Sequence, residues 1–153
     1  VTGNIGGTMR TKQGQVFPII SQDEIIELNE SGLVHVYPHT RSHPRFSEIS
    51  TEEAIVEIET SRNVLEDLLG IETPFFAYPF GVYTDSVVDY LQKQEAWKGA
   101  VTVVPGLVSL DTYNGMLLKR NMVDSETGKH QFRMKVSDGI EMYTKMHTKK
   151  EYA

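Results

Sequence analysis

The chain contains no cysteine among its 153 residues. Disulfide bonds and thiolate metal sites are therefore excluded, and any transition metal must be held by His, Asp or Glu. No stretch approaches the roughly eighteen consecutive apolar residues that cross a bilayer, so no membrane-spanning helix is predicted. Basic residues are outnumbered, 15 Lys and Arg against 21 Asp and Glu, and are scattered. This pattern excludes the basic stripe that binds nucleic acid phosphates.

Length and composition indicate one globular domain over residues 1–153, with 39% apolar and 24% charged residues. The chain opens on Val1 and a glycine-rich stretch, without an initiating methionine. We therefore expect it to be a piece of something longer.

Helices and short strands alternate along the chain. Capping boxes, apolar periodicity or glycine stops predict three helices: 21–31, 50–69 and 85–94. Short apolar runs predict four strands: 33–36, 74–78, 100–104 and 116–122. Two later segments fit either a helix or a strand: 132–137 and 140–146. The alternation favours an α/β fold with a mostly parallel sheet.

Two histidines stand four residues apart in a proline-flanked segment after the strand at 33–36. His39 and His43 would then lie in a loop at the carboxyl end of a strand, where catalytic groups gather in α/β folds. Two imidazoles at this spacing can converge on one ion, each giving a nitrogen at roughly 2.0–2.1 Å. The alternative interpretation is a pair of surface histidines, since a catalytic zinc normally has three protein ligands.

A second loop, Phe-Ala-Tyr-Pro-Phe-Gly at 76–81, follows the strand at 74–78. Taken alone, it is a core strand that ends in a proline-glycine exit. Beside the histidines it gains a further interpretation, because backbone amides after Pro79 can donate to a developing oxyanion.

With these two motifs, the chain resembles the metal-dependent polysaccharide deacetylases of the NodB-homology type (carbohydrate esterase family 4) over most of its length. Residues 32–44, Gly-Leu-Val-His-Val-Tyr-Pro-His-Thr-Arg-Ser-His-Pro, are similar to that family's His-(Ser/Thr)-x-x-His metal motif. Residues 76–81 resemble the Phe-Ala-Tyr-Pro-Tyr-Gly form found in the poly-N-acetylglucosamine deacetylase branch, with Phe80 in place of Tyr. Residues 98–106 and 118–120 resemble the later strands. Arg120 is either a substrate-groove residue or a surface charge.

The chain also departs from the family pattern. The first motif, a Thr-Phe-Asp-Asp run that supplies the third metal ligand and the catalytic base, occurs nowhere in this sequence. Val1 to Gly7 resembles the end of the family's second strand. The resemblance therefore implies an incomplete, distorted (β/α) barrel that is missing its first strand-helix unit.

The family's general acid, a late histidine, has no clear counterpart. His130 lies in a polar loop and His147 in a charged tail, both expected to be solvated. His35 is expected to be structural. Asn121, which follows Arg120, has no proton to donate as an acid.

The resemblance implies a hydrolase that removes N-acetyl groups from an acetylated amino-sugar polysaccharide such as poly-N-acetylglucosamine, peptidoglycan or chitin. The implied cofactor is a divalent metal, most readily zinc, held by His39 and His43 and by an Asp that this chain lacks. The backbone amide of Phe80 would hold the oxyanion, and Tyr78 and Arg120 would complete the site. The chain alone is expected to be inactive, and the enzyme to work outside the cell or at the bacterial cell surface.

Two other hypotheses remain. In one, the chain is a carbohydrate-binding or scaffold protein derived from the same fold. In the other, it is an unrelated metal-dependent hydrolase in which Asp85 or Glu48 completes the site.

Losing a first strand would leave an unpaired sheet edge, through which a homodimer can form.

Overall fold

The computed structural model describes residues 1–109, 111 and 113–147, with side chains up to residue 144. Strands and α-helices follow each other as β1 (Thr8–Arg10), β2 (Val16–Pro18), α1 (Gln22–Glu30), α2 (Thr51–Leu69), β3 (Phe75–Ala77), α3 (Asp85–Lys93), β4 (Gly99–Val101), α4 (Lys129–Lys135) and α5 (Ile140–His147). Single 3-10 turns lie at Thr2–Asn4, Pro79–Gly81 and Gly115–Leu117. The α/β class predicted from the sequence is confirmed, and no helix in the described ranges is long and apolar enough to cross a bilayer.

The three predicted helices form with the caps that their sequences indicate. In α1 and α2, Ser21 and Ser50 each accept from the backbone amide three residues on, and the Glu at that position bonds back to the cap. Such reciprocal caps satisfy amides that a helix start leaves unpaired. At its other end, α2 stops at Gly70, whose left-handed φ of 65° favours glycine.

The central sheet is built from β3 and β4, which pair in parallel. The segment around Leu118 extends the sheet, because its amide donates to Ala100 and its carbonyl accepts from Thr102, both at 2.9 Å. On the other side of β3, the amide of Ala77 donates to the carbonyl of Pro38 at 3.2 Å. The chain therefore runs past His39 directly beside the end of β3.

The core lies between this sheet and helices α2 and α3. It is formed by apolar side chains from every layer, among them Phe46, Ile58, Phe76, Leu91, Trp97 and Ala100. Burying a large apolar side chain of this kind stabilises a fold by roughly 1.5–3 kcal/mol. The loops at the end of the sheet thus rest on a packed base.

Several predicted elements differ in the structure. The strand at 33–36 does not form, and Leu33 is 89% exposed. The predicted strand at 116–122 begins instead as a 3-10 turn, because the Asn114 side chain caps the amide of Met116, and within it only Leu118 forms a bridge. Of the ambiguous segments, residues 132–135 belong to helix α4, with 136–137 after its end, and 140–146 belong to helix α5.

At the amino end, the comparison of Val1 to Gly7 with the end of a strand was wrong, since a 3-10 turn occupies Thr2–Asn4. The β1–β2 hairpin that follows was not predicted. Its strands are only three residues long and exposed throughout. Short exposed strands have little apolar alternation, which explains why the sequence pattern did not indicate them.

Candidate functional site

His39 and His43 meet ring to ring, as the motif predicted. Their Nε2 atoms are 3.0 Å apart, and their ring centroids 4.8 Å. The Nδ1 atom of His39 lies 2.7 Å from the carbonyl oxygen of Ala77. Because a carbonyl can only accept, Nδ1 carries the proton and Nε2 of His39 presents a lone pair to His43.

The loop between the two histidines is held in an uncommon backbone conformation. Thr40 and His43 have left-handed φ values of 62° and 65°, which typically cost about 1–3 kcal/mol each in a residue with a side chain. Thr40 is fully buried, and its hydroxyl donates to the carbonyl of His39 at 2.7 Å and accepts from the amide of His43 at 3.0 Å. The Thr of the His-Thr-x-x-His motif therefore fixes the turn that brings the imidazoles together.

The amino-terminal segment packs against the same loop. The amide of Thr2 donates to the carbonyl of Thr40 at 3.2 Å, and the amide of Gly3 donates to the carbonyl of Arg41 at 2.9 Å. A Cβ on Gly3 would come within 2.7 Å of that Arg41 oxygen, so the close approach requires glycine. The chain therefore passes the histidine loop immediately after Val1.

Phe80 lies beside the histidine pair. Its ring contacts that of His43 edge to face at 4.5 Å, and the guanidinium of Arg45 lies 4.2 Å from the ring centroid. The backbone of Phe80 is left-handed, with φ of 57°. The next residue, Gly81, is buried against Val103, where a Cβ would lie 2.7 Å from the backbone nitrogen. The loop at 76–81 thus meets the histidine loop, as predicted.

Tyr78 and Arg120, the two other predicted site residues, have different surroundings. Tyr78 is 2% exposed, its hydroxyl donates to the carbonyl of Met116 at 2.9 Å, and burial raises the pKa of its phenol. These contacts give the side chain a packing role, and its predicted part in catalysis stays a prediction. Arg120 is exposed, and its backbone amide donates to Val104.

The charges around His39 favour its neutral form. Burial lowers the pKa of His39; the hydrogen bond to Ala77 opposes this, and the positive charges of His43 and Arg120 add to the lowering. A neutral imidazole is the form that binds metals.

The two imidazoles fit a metal ion, whereas a third ligand is missing from the described residues. Two nitrogens bound tetrahedrally at roughly 2.0–2.1 Å stand about 3.3 Å apart, close to the 3.0 Å found here. A carbonyl that fixes the tautomer of a ligating histidine, as Ala77 does, is the usual outer-shell partner. No group of three His, Asp or Glu side chains in the described part of the chain could hold an ion.

The alternative in which Asp85 or Glu48 completes the site is therefore wrong for the described structure. Glu48 instead lies 3.8 Å from Arg45 in an exposed ion pair, and Asp85 opens helix α3. The other histidines also lie apart: His35 is exposed and stacks against Tyr37, and His130 is exposed. The side chain of His147 lies outside the described residues.

Sequence reasoning missed the carbonyl of Ala77, the Arg45 guanidinium over Phe80, and a carboxylate, Glu57, that binds Ser42 between the histidines. A backbone carbonyl has no sequence signature. Glu57 lies on the polar side of a helix, where acidic residues are common. Sequence reasoning also missed the structural role of Asn121, whose side chain bonds the backbone of Gly106 and the carbonyl of Lys135.

The fold agrees with comparisons to known proteins. The family model described as "Polysaccharide deacetylase" matches residues 2–96, more than half of the chain, which therefore belongs to the polysaccharide deacetylase family, of the NodB-homology type. No curated protein matches the sequence.

Three solved structures illustrate the likeness. A polysaccharide deacetylase from Bacillus cereus is 26% identical with a TM-score of 0.71, covering 89% of this chain and 40% of its own. A Streptococcus pyogenes deacetylase in complex with acetate is 21% identical, with a TM-score of 0.70 and coverage of 78% and 52%. IcaB from Ammonifex degensii is 24% identical, with a TM-score of 0.54 and coverage of 67% and 46%. The latter two show the fold alone. The chain thus spans about 40% of the Bacillus cereus protein.

Proposed function

We propose that this chain forms the histidine half of the metal site in an enzyme that removes N-acetyl groups from an acetylated amino-sugar polysaccharide. The observation that carries the proposal is the 3.0 Å approach of the His39 and His43 Nε2 atoms, with the tautomer of His39 fixed by Ala77. Membership of the polysaccharide deacetylase family supports the substrate class. Poly-N-acetylglucosamine, peptidoglycan and chitin-like polymers are the candidate substrates.

His39 and His43 would hold a divalent ion, most readily zinc. Such an ion, when bound, activates a water molecule and polarises the acetamide carbonyl. Among the chain's own groups, the backbone amide of Phe80 is proposed to donate to the oxyanion of the attacked acetamide. Loss of one oxyanion donor typically costs about 3 kcal/mol of transition-state stabilisation. Arg120, on the segment that follows Leu118, is proposed to contact the polymer.

The third ligand and the catalytic base are proposed to be an Asp pair on a segment joined ahead of Val1. Two observations support this. The sequence contains no Asp-Asp pair. The amides of Thr2 and Gly3 bond to the loop at 39–43, so a segment joined ahead of Val1 enters beside His39. On this proposal the chain is an incomplete (β/α) barrel that lacks its first strand-helix unit and has no activity by itself.

A chimera tests this function. A strand and helix carrying a Thr-Phe-Asp-Asp run would be joined ahead of Val1, and acetate release from poly-N-acetylglucosamine, peptidoglycan and chitin would be measured with and without zinc. We expect no release from the 153-residue chain and zinc-dependent release from the chimera. His39→Ala and His43→Ala should abolish it, whereas His35→Ala, an exposed histidine near the same loop, should not. A folded, zinc-loaded chimera that releases no acetate from any of the three polymers contradicts the proposal.

A carbohydrate-binding or scaffold function is the second candidate, and the lack of a third ligand among the described residues favours it. It predicts that the chain binds glycan oligomers without metal and that His39→Ala leaves this binding unchanged. Glycan binding that requires both zinc and His39 contradicts it.

Because the polymers lie outside the cell, the enzyme is proposed to act at the bacterial cell surface. A homodimer through an exposed sheet edge stays a prediction, tested by sedimentation.

A further inference from the structure

The loop at 39–43, which carries both histidines, is bound by one carboxylate from helix α2. Both oxygens of Glu57 are used: Oε2 accepts from the backbone amide of Ser42 and Oε1 from its hydroxyl, each at 2.7 Å. Hydrogen bonds to an ionised carboxylate are roughly twice as strong as neutral ones. Ser42 directly precedes His43 in sequence, so Glu57 fixes the chain one residue from a metal ligand.

Glu57 is itself anchored to the core. It lies in the 19-residue helix α2, whose next residue, Ile58, is fully buried, as is Ala54 one turn earlier. A side chain carried by a packed helix is held more rigidly than one carried by a loop. The carboxylate therefore holds the loop at 39–43 in a fixed position relative to the core.

The loop needs such a contact because its conformation is not one that its residues prefer. Thr40 and His43 both have positive φ. The Thr40 hydroxyl ties the loop internally, through the carbonyl of His39 and the amide of His43. Bonds from other elements hold the first half of the loop: Ala77 binds Pro38 and His39, and the Thr2 and Gly3 amides bind the carbonyls of Thr40 and Arg41. Among the hydrogen bonds of the described residues, those from Ser42 to Glu57 tie the His43 side of the loop to another element.

We propose that Glu57 is a positioning residue of the metal site, which holds Ser42 so that the imidazole of His43 stays aimed at Nε2 of His39. This rests on the proposed function only in taking the two histidines as metal ligands. Outer-shell partners of this kind typically change metal affinity by 10- to 100-fold when removed.

The test compares four variants of the 153-residue chain: Glu57→Ala, Glu57→Gln, Ser42→Ala and the control Glu52→Ala. Glu52 is an exposed acid on the same helix, and none of the described residues hydrogen-bonds to its side chain. Zinc binding would be followed by the imidazole signals of His39 and His43 in NMR titrations. We expect E57A to weaken zinc binding by 10- to 100-fold, S42A by less, and E52A by less than threefold.

The glutamine variant separates position from charge. Its side-chain amide retains an oxygen for the Ser42 amide and a nitrogen for the hydroxyl oxygen, so E57Q should bind zinc within about threefold of the unmodified chain. If E57Q is as weak as E57A, the carboxylate acts through its negative charge and the positioning role is refuted. E57A binding zinc within threefold of the unmodified chain refutes it as well.

A second readout does not depend on metal. Hydrogen exchange at the Ser42 and His43 amides should accelerate more than tenfold in E57A without zinc, and not in E57Q or E52A, while amides in the centre of α3 stay unchanged. Unchanged exchange at Ser42 in E57A overturns the proposal. If the unmodified chain binds no zinc while the exchange results hold, the metal function fails and the positioning role of Glu57 stands.

Discussion

The Nδ1 atom of His39 donates its proton to the carbonyl oxygen of Ala77 over 2.7 Å. His39 comes from the loop after α1 and Ala77 from the end of β3, so this bond joins the two motifs of the site. It leaves the Nε2 lone pair of His39 facing His43 at 3.0 Å. The tautomer of the first ligand is thus set by the sheet itself.

The first prediction concerns that tautomer. At neutral pH, ¹⁵N NMR of the metal-free chain should show His39 protonated at Nδ1 and unprotonated at Nε2, because the Ala77 carbonyl can only accept a hydrogen bond. His35, which is exposed and stacks against Tyr37, serves as the comparison. A His39 protonated mainly at Nε2 contradicts the geometry on which the metal site depends.

The second prediction concerns Tyr78. Replacing it by Phe removes the hydroxyl that bonds the Met116 carbonyl and leaves that buried acceptor without its partner. We expect the free energy of unfolding in urea to fall by about 1–3 kcal/mol. Tyr83→Phe, a change of the same kind at a partly exposed ring, should stay within about 0.5 kcal/mol. Zinc binding should be unchanged in both variants, and its loss in folded Y78F would give Tyr78 the site role that its packing argues against.

A third prediction compares two glycines with nearly the same backbone. Gly70 and Gly81 have φ values of 65° and 69°, but a Cβ on Gly70 meets open space, whereas one on Gly81 overlaps Val103. Gly70→Ala should cost about 1 kcal/mol from backbone strain alone. Gly81→Ala should cost a further 1–3 kcal/mol or so, because the overlap must be relieved by moving the loop that carries Phe80. Equal costs for the two variants in urea unfolding would show that Gly81 is not closely packed.

The fourth prediction concerns pH. Burial by itself raises the pKa of Glu66, but hydrogen bonds from Thr73 and Arg62 outweigh it and hold the pKa below its usual value of 4.5. A depressed folded-state pKa contributes stability that is present above pH 4.5 and is lost as the pH falls through the folded value.

Glu66→Gln should therefore lower the free energy of unfolding by about 1 kcal/mol at pH 7, with the deficit shrinking as the pH falls below 4.5. Glu72→Gln, at an exposed position nearby, should differ from the unmodified chain by less than about 0.5 kcal/mol at both pH values. A Glu66→Gln deficit that stays constant or grows on acidification is the opposite of what the bonds at Thr73 and Arg62 require.

The sequence patterns predicted the structural features that depend on residues close together along the chain. The helices at 22–30 and 51–69 were found because their capping boxes at Ser21 and Ser50 are local patterns, and the histidine pair because its spacing is short. The contacts between loops depend on the path of the chain: His39 bonds Ala77 across 38 positions, and Ser42 bonds Glu57 across 15. Such pairings are set by packing, and no local pattern encodes them.

The predicted strand at 33–36 failed for a related reason. Its residues, Leu-Val-His-Val, have strand propensity, yet propensity for a strand mostly reflects packing against neighbours, and Leu33 is almost fully exposed. The chain meets the sheet just after this segment, where the ring of Tyr37 contacts Phe75 and the carbonyl of Pro38 accepts from Ala77. The position of the histidines beside the end of a strand was therefore right, but the strand that places them is β3.

The central claim is that His39 and His43 bind one metal ion together. It is tested most directly by titrating the 153-residue chain with zinc and measuring X-ray absorption of the bound ion, with His39→Ala, His43→Ala and the control His35→Ala alongside. The account predicts one ion with two imidazole nitrogens at roughly 2.0–2.1 Å, lost in either of the first two variants and kept in the third. Zinc that binds with the same affinity and the same ligands after His39→Ala would contradict it.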